Sequence, residues 1–216
     1  MIRVHSGKYK KTKLKSPKKA RTLQTRMRQH LIGYLSDFLK NATVLDLFAG
    51  SGIFGIEALS SGAAQAVFVD KNRKTTQLIQ ANLNKLGLAE KSRVVTADAS
   101  LFLTKAKQNP HERFDIIFID PPYTAVFKKT QEQQKRYIRS LLHKAAQILN
   151  PKSLIILKVH KKHPVYLPAG LAILDVKKSG INRLYYLVQE RYVKPEFRDN
   201  LSFGPTDEKF KSIHAH

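Results

Sequence analysis

The feature that most constrains this fold is an alternation of strand-like and helix-like segments that begins at residue 43. Five short apolar runs have the length and composition of buried strands, at residues 43–48, 66–70, 92–97, 114–119 and 153–159. Amphipathic stretches between them predict helices at residues 54–61, 73–86, around 101–103, and 134–149, the last broken by Pro151. This alternation predicts an α/β fold with a doubly wound, mostly parallel sheet.

Two more strand-like runs, at residues 171–176 and 182–192, close the predicted sheet. No clear helical pattern separates them, which favours antiparallel pairing and brings the predicted sheet to seven strands. The chain then divides into a basic extension at residues 1–40, the α/β core at residues 41–192 and a polar tail at residues 193–216. Ligands of a doubly wound sheet bind beyond the carboxyl ends of its strands, so we expect the functional site there.

The charge of the chain points to a polyanionic partner. It carries 39 Lys and Arg against 16 Asp and Glu, a formal net charge of +23, which favours nucleic acid over an acidic membrane surface. The absence of cysteine excludes disulfides, cysteine-ligated zinc and thiolate nucleophiles. No apolar run approaches the roughly 20 residues of a transmembrane helix, so we expect no membrane partner.

The amino-terminal extension is the most basic part of the sequence. Its first 36 residues hold eleven Lys and Arg and no acidic residue. Alternating residues at 2–5 and 9–14, with a turn at 6–8, predict a hairpin, and apolar residues at helical spacing predict a helix at 24–39. An acid-free segment of this kind favours a nucleic-acid-binding arm, with a solvated lysine-rich surface as the alternative.

Four aspartates lie at or near the carboxyl ends of the first four predicted strands: Asp46, Asp70, Asp98 and Asp120. The first of them opens a glycine-containing loop, residues 46–52 (DLFAGSG), where a ligand can approach the backbone closely. Asp70 follows 24 positions later, where a carboxylate can accept hydrogen bonds from both ribose hydroxyls of a nucleoside. Each aspartate alone has the alternative role of a loop residue or helix cap, and NAD fits the first two equally well.

The fourth strand ends in Asp120, Pro121, Pro122 and Tyr123, and this turn argues against an NAD site. The two prolines fix the backbone and remove two amide donors, so the Pro121 carbonyl can accept a hydrogen bond. That carbonyl and the Asp120 carboxylate suit the two hydrogens of an exocyclic amino group. The Tyr123 ring offers a face on which a base can stack. A rigid turn with a packed tyrosine is the structural alternative, but the position of the turn after an apolar strand predicts a catalytic role for these four residues.

With these motifs the chain resembles the class I S-adenosylmethionine-dependent methyltransferases that act on amino groups. Within that class it is most similar to the bacterial 16S rRNA guanine-N2 methyltransferase family of the RsmD type. The resemblance extends from residue 1 to about residue 192, and the segments that carry it are residues 4–10 (VHSGKYK), 46–52, 52–63 (GIFGIEALSSGA) and 114–123 (FDIIFIDPPY). The chain departs from the family at residues 21–23, where it has Arg-Thr-Leu and the family has Arg-Pro-Thr.

The resemblance implies a Rossmann-like fold, S-adenosylmethionine as cofactor and a guanine amino group as target. It places the methionine part of the cofactor at the 46–52 loop, the ribose at Asp70 and the adenine amino group at Asp98. It places the target guanine at the turn formed by residues 120–123. The residues that it assigns to the cofactor are therefore Asp46, Ala49, Gly50, Gly52, Asp70 and Asp98.

Basic residues near these motifs are candidates for RNA contacts: Arg3, Lys8, Lys10, Lys11, Arg21, Lys128, Lys129, Lys161 and Lys162. His160 and His163 lack a nearby carboxylate or cysteine, so we assign them to the same basic patch and expect no metal. We expect a monomer in the cytoplasm that acts on 16S rRNA, within a 30S subunit or an assembly intermediate.

Two other functions stay open at this stage. The catalytic turn would also serve methylation of a DNA adenine, of another rRNA base or of a protein glutamine. The second alternative is a non-catalytic RNA-binding or ribosome-assembly factor on the same fold. The presence of Asp46, Asp70 and Asp120 argues against it, because such a factor has no chemical need of these carboxylates.

Overall fold

The computed structural model describes residues 1–17, 25–122, 130–163 and 165–193. The chain divides into two compact units, Met1–Phe102 and Leu103–His216. Arg21, Tyr123, Lys128 and Lys129, which the sequence singles out, lie outside the described residues. Within the described residues, no helix has both the length and the apolar character needed to cross a bilayer.

The first unit contains a short hairpin and three parallel strands with helices between them. Its parallel strands have the order β5-β4-β3, with Leu45 opposite Val67 and Phe68 opposite Val94. The elements in chain order are β1 (Ile2–Arg3), β2 (Lys13–Leu14), α1 (Thr25–Tyr34), β3 (Thr43–Leu47), α2 (Ile53–Ser60), β4 (Gln65–Asp70), α3 (Arg73–Leu86), β5 (Ser92–Thr96) and α4 (Ala99–Ala106), which runs past Phe102.

Helix α3 begins and ends at the residues predicted from its sequence. The Asn72 side chain accepts hydrogen bonds from the amides of Lys74 and Thr75, which otherwise have no partner at a helix start. At the other end Gly87 adopts a left-handed conformation with φ of 66°, and its amide donates to the carbonyl of Leu83. These local signals set both ends of the helix without help from tertiary packing.

The hairpin exists, but its strands are shorter than predicted. Only Ile2 with Leu14 and Arg3 with Lys13 pair as antiparallel strands, and residues 8–11 form turns, where the sequence predicts a strand from residue 9 onward. The expected strand does not continue because the loop bonds elsewhere: the amide of Lys8 donates to the Ser60 carbonyl at 2.8 Å. Helix α1 also ends at Tyr34, five residues before the predicted end, although Leu35 and Leu39 continue the buried face through turns.

The second unit contains one further parallel pair and two antiparallel closing strands. Its strands have the order β6-β7-β9-β8: β6 and β7 are parallel, whereas β9 is antiparallel to both β7 and β8. The antiparallel prediction for the last two strands is therefore confirmed. The elements are β6 (Phe114–Ile119), α5 (Gln131–Ala146), β7 (Leu149–His160), β8 (Leu171–Ser179) and β9 (Asn182–Gln189), followed by a 3-10 turn at Glu190–Tyr192 in place of the predicted end of the last strand.

The predicted boundaries around α5 and β7 are wrong by three or four residues. The helix starts earlier because Thr130 and Gln133 form a reciprocal capping box. It ends at Ala146, and β7 already begins at Leu149 and includes Pro151. A proline is tolerated there because the pairing with β6 shifts register between Phe114 and Ile116, so that the local ladder is interrupted.

Besides the two strands of the hairpin, the described residues form seven strands, and the parallel pairs are flanked by helices along the chain. The predicted α/β, mostly parallel fold class is therefore confirmed. In each unit the candidate aspartates lie at or just after the carboxyl ends of strands: Val44, Leu45 and Leu47 of β3 are fully buried, as are Ile117 and Ile119 of β6. The division into residues 1–40, 41–192 and 193–216 stays a prediction.

Candidate active site

The loop after β3 adopts a backbone that few sequences allow. Phe48, Gly50 and Gly52 all have positive φ, of 60°, 54° and 69°. The loop is closed by the Ala49 amide, which donates to the Val69 carbonyl at 3.0 Å, and by the Gly52 amide, which donates to the Ala49 carbonyl at 2.7 Å. A Cβ on Gly52 would lie 3.0 Å from Ile79 Cγ1. Glycine is expected at two of these positions, but Phe48 is a strained residue that the sequence alone does not reveal.

Asp46 is almost completely buried, with 2% of its surface exposed. Its Oδ2 accepts a hydrogen bond from the amide of Gly55 at 3.1 Å, in the first turn of α2. Gly55 itself allows α2 to pack closely on β4, because a Cβ there would lie 2.3 Å from the Phe68 ring. The carboxylate thus connects the end of β3 to the start of α2 and holds the loop between them.

Asp70 lies at the end of β4 and contacts the same loop. Its Oδ2 accepts from the Gly50 amide at 2.9 Å, and its Oδ1 accepts from the Asn72 amide at 2.9 Å. Each carboxylate oxygen can accept more than one hydrogen bond, so these contacts orient the half-buried group without saturating it. The structure therefore brings together Asp70 and the glycine loop, as the spacing of the two motifs predicts.

Asp98 caps the helix that follows β5. Its Oδ1 accepts from the amides of Ser100 at 2.9 Å and Leu101 at 3.2 Å, at the start of α4. This is the helix-cap role that the sequence left open for Asp98. The residue is exposed to solvent. Leu101 beside it is 63% exposed.

In the second unit, Asp120 forms an ion pair that the sequence did not predict. Lys158 Nζ lies 2.7 Å from Asp120 Oδ1 and 2.8 Å from Oδ2, and both side chains are largely buried, with 12% and 20% exposed for Lys158 and Asp120. Burial raises the pKa of the Asp120 carboxyl above its ordinary value, and the charge of Lys158 opposes that rise. The signal for this pair is the strand register: Ile119 pairs with Leu157 in the parallel ladder, so the next two residues lie side by side.

A small recess surrounds this ion pair. Pro121 is buried and Pro122 is exposed, so only the first proline belongs to the wall. The rings of His160 and His163 lie 6.1 Å apart, and burial lowers the pKa of His163, with a smaller contribution from His160. No group of three acidic or histidine side chains that could hold a metal ion occurs among the described residues. The residues that line the recess are Asp120, Pro121, Lys158, Val159, His160, His163 and Asn182.

The basic hairpin packs against helix α2. The Tyr9 amide donates to Ser60 Oγ at 2.9 Å, and that hydroxyl donates to the Ser6 carbonyl at 2.6 Å. Gly7 has φ of 69°, and a Cβ there would lie 1.8 Å from the Ser60 carbonyl oxygen, so only glycine fits. The predicted RNA contacts that the structure describes are all exposed: Arg3, Lys8, Lys10 and Lys11 in the first unit, and Lys161 and Lys162 in the second.

A buried ion pair lies beneath the hairpin and was also missed from the sequence. Arg28 Nε lies 3.6 Å from Glu57 Oε1, with side-chain exposures of 2% and 0%. The same Glu57 oxygen accepts from the His5 amide at 2.8 Å, and the Arg28 guanidinium donates to the Arg3 carbonyl at 3.2 Å. Burial raises the pKa of Glu57, and the His5 amide and Arg28 oppose that rise. The pair therefore joins α1, α2 and the hairpin.

Known proteins resemble the chain over most of its length. The family model described as conserved hypothetical protein 95 matches residues 2–188. The chain is 30% identical to the ribosomal RNA small subunit methyltransferase D of Buchnera aphidicola subsp. Acyrthosiphon pisum, over 87% of this chain and 93% of that protein. It is also 30% identical to the protein of the same name from Haemophilus influenzae, over 85% and 93%. Among solved structures, it is similar to the putative methyltransferase yhhF from Escherichia coli, with a TM-score of 0.72, 26% identity and coverage of 88% of this chain and 98% of that chain.

Proposed function

This chain belongs to the family described as conserved hypothetical protein 95. From its similarity to small-subunit rRNA methyltransferases along most of its length, we propose that it is an S-adenosylmethionine-dependent rRNA methyltransferase. The target that we propose is the exocyclic N2 amino group of a guanosine in 16S rRNA. The observation that carries this proposal is the largely buried Asp120 carboxylate after β6, beside the Pro121 turn.

The first unit has the features that S-adenosylmethionine requires. The left-handed turns at Phe48, Gly50 and Gly52 bring backbone groups close to a ligand. Asp70 is already oriented by two amides and can accept the ribose hydroxyls, while exposed Asp98 can accept the adenine amino group. The exposed Leu101 offers an apolar contact beside it. Asp46 holds the loop through its contact with the Gly55 amide. The Ala49 amide closes the loop by donating to the Val69 carbonyl.

Residues of the second unit prepare the target nitrogen. The amino nitrogen of guanine is a weak nucleophile, because its lone pair is delocalised into the ring. Hydrogen bonds to Asp120 and to the Pro121 carbonyl favour a pyramidal nitrogen and stabilise the positive charge that grows on it. Tyr123 is proposed to stack on the base, which must leave its helix to enter.

The transfer needs neither a metal nor a strong base. S-adenosylmethionine, once bound, would supply a methyl group on a positively charged sulfur, and the neutral thioether would be the leaving group. The nitrogen lone pair would form the new N–C bond, and the electron pair of the broken C–S bond would stay on sulfur. The methylated nitrogen then releases one proton to water. The protein contributes alignment and electrostatics.

Asp70→Ala is expected to weaken cofactor binding. The substitution removes the proposed acceptor of the ribose hydroxyls and also releases the Gly50 amide. Loss of hydrogen bonds to a charged group corresponds to about 2–3 kcal/mol, or about 30- to 150-fold in affinity. Calorimetric titration with S-adenosylmethionine measures this directly. Glu90→Ala, which removes an exposed acid elsewhere in the same unit, is the matched control, and equal affinities of the two variants would contradict the role of Asp70.

Replacing Lys8, Lys10 and Lys11 together by glutamine is expected to lower RNA affinity and its salt dependence. These exposed lysines belong to a loop that is fixed to Ser60 by its backbone, so the fold should survive. Each phosphate contact contributes about 0.7 to the log–log salt slope for single-stranded RNA, so the slope should fall by about 2. Filter binding to 16S rRNA fragments across a salt series tests it. Glutamine at the exposed Lys91, Lys105 and Lys107 should leave the slope unchanged, and equal slopes for both triple variants would remove the hairpin from the RNA interface.

We further propose that the substrate is 16S rRNA within a 30S subunit or an assembly intermediate, and that the enzyme is a cytoplasmic monomer. The test is transfer of a radiolabelled methyl group to undermethylated 30S subunits, naked 16S rRNA and duplex DNA. Label in the 30S subunits or 16S rRNA supports the proposal. Label in DNA alone would contradict the rRNA assignment. Absence of label in every substrate, together with absence of calorimetric binding of S-adenosylmethionine, would support the non-catalytic RNA-binding factor instead.

A further inference from the structure

The Asp120 carboxylate does not stand alone in the fold. Lys158 contacts both of its oxygens, at 2.7 Å and 2.8 Å, from the neighbouring parallel strand. The two residues follow the last registered pair of β6 and β7, Ile119 with Leu157. The contact therefore comes from the backbone register of two buried strands and does not depend on a flexible loop.

The proposed reaction needs Asp120 in its ionised form, and burial disfavours that form. Desolvation raises the pKa of its carboxyl group, whereas the charge and hydrogen bonds of Lys158 lower it. A protonated carboxyl group has one oxygen that donates, so it loses acceptor capacity and its negative charge. A neutral Asp120 would stabilise the positive charge on the target nitrogen far less.

We propose that Lys158 is a positioning residue that keeps Asp120 ionised and fixes the plane of its carboxylate. This inference rests on the proposed methyl transfer to an amino group. Lys158 itself does not touch the reacting atoms; it acts through Asp120. The assignment gives Lys158 a role in support of the catalytic turn, in contrast to the exposed Lys161 and Lys162 that are candidates for RNA contacts.

The geometry leaves room for the target. An ionised carboxylate has about four acceptor sites, and the two contacts of Lys158 use two of them. The remaining sites can accept an amino hydrogen while Lys158 stays in place. The Lys158 ammonium group also repels the positive charge that develops on the target nitrogen. Lys158 therefore keeps Asp120 ionised but reduces part of the stabilisation that Asp120 gives to the transition state.

The other groups around the recess cannot replace Lys158. Two histidines line it from the end of β7 and the turn after it, and β9 contributes Asn182, which carries no charge. Burial lowers the pKa of His163, which favours its neutral form. Among the described residues that line the recess, Lys158 is thus the one lysine or arginine, and His160 and His163 are the other basic side chains.

The pH dependence of methyl transfer tests this role. In Lys158→Met, the acid limb of kcat/KM is expected to move to higher pH by at least about one unit, because Asp120 loses the charge that lowers its pKa. Activity should recover toward the wild-type value on the alkaline side. Lys158→Arg should keep the wild-type limb, and Lys161→Met, which removes an exposed cation of the same run, should weaken RNA binding without moving the limb. A loss in Lys158→Met that is equal at every pH would overturn the proposal.

A second measurement does not require activity. In protein labelled with ¹³C at the aspartate carboxyl carbons, the Asp120 signal, assigned by its absence in Asp120→Ala, reports its own titration. Its midpoint should rise in Lys158→Met relative to wild type; if that variant does not fold, Lys158→Gln is used. An unchanged midpoint overturns the proposal even if the enzyme is active. A raised midpoint in a protein without methyl-transfer activity would instead uphold the pairing and reject the proposed function.

Discussion

Asp120→Ala is expected to reduce methyl transfer by about 100- to 1,000-fold while it leaves the affinity for S-adenosylmethionine nearly unchanged. The carboxylate is the proposed acceptor for the target amino group, and its loss removes the charge that stabilises the growing cation. The proposed cofactor contacts, by contrast, all belong to the first unit, at the loop after β3 and at Asp70 and Asp98. Single-turnover transfer and calorimetry, measured on the same preparation, separate the two effects.

A control on the same strand guards against a general loss of structure. Asp115 also lies on β6, and it bonds Asn150 at 2.7 Å. Asp115→Asn should therefore keep the rate within about threefold of wild type, since it touches no proposed ligand and preserves the shape of the side chain. If Asp120→Ala lost cofactor binding and transfer to the same extent, its assignment to the target base would be wrong.

Arg28→Met is expected to lower the free energy of unfolding by about 3–5 kcal/mol. The substitution leaves Glu57 buried without its cationic partner, at a position where it is fully enclosed. Because burial raises the pKa of Glu57, the unpaired carboxyl folds more easily when protonated. The deficit relative to wild type should thus be smaller at about pH 5 and grow as the pH rises through the folded-state pKa toward about pH 8. Urea unfolding at both pH values measures it.

The double variant Arg28→Met with Glu57→Gln should recover most of the lost stability. Glutamine is neutral and can still accept from the His5 amide, so no buried charge is left unpaired. Lys40→Met serves as the comparison, because it breaks the exposed pair with Asp37 and should change stability by less than about 0.5 kcal/mol. If Arg28→Met were as mild as Lys40→Met, the buried pair would not be what fixes the hairpin to α2.

Much of the fold follows from local signals in the sequence. The ends of α3 are set by Asn72 and Gly87, and β6 is an apolar run that matches its predicted bounds. The glycine loop and Asp70 lie together because both follow parallel strands that are direct neighbours. Such features depend on residues close in sequence or on general rules for parallel sheets, which one sequence is enough to apply.

Three of the features that the sequence did not reveal depend on contacts between distant segments. Lys158 contacts Asp120 because of the register of β6 with β7. The hairpin strands are shorter than predicted where the Lys8 amide donates to the Ser60 carbonyl of α2. The Arg28–Glu57 pair needs the packing of three segments at once. Periodicity reports which face of one element is buried, but it does not report which residue of another element lies opposite.

The most direct test of the account is the chemical identity of the methylated nucleoside. Undermethylated 30S subunits would be incubated with the protein and labelled S-adenosylmethionine, the rRNA digested to nucleosides, and the labelled product separated and identified by mass spectrometry. The account predicts a single labelled product, N2-methylguanosine, whose rate of formation falls by about 100- to 1,000-fold with Asp120→Ala. Label on an adenosine or cytidine, or an undiminished rate of labelling in Asp120→Ala, would contradict it.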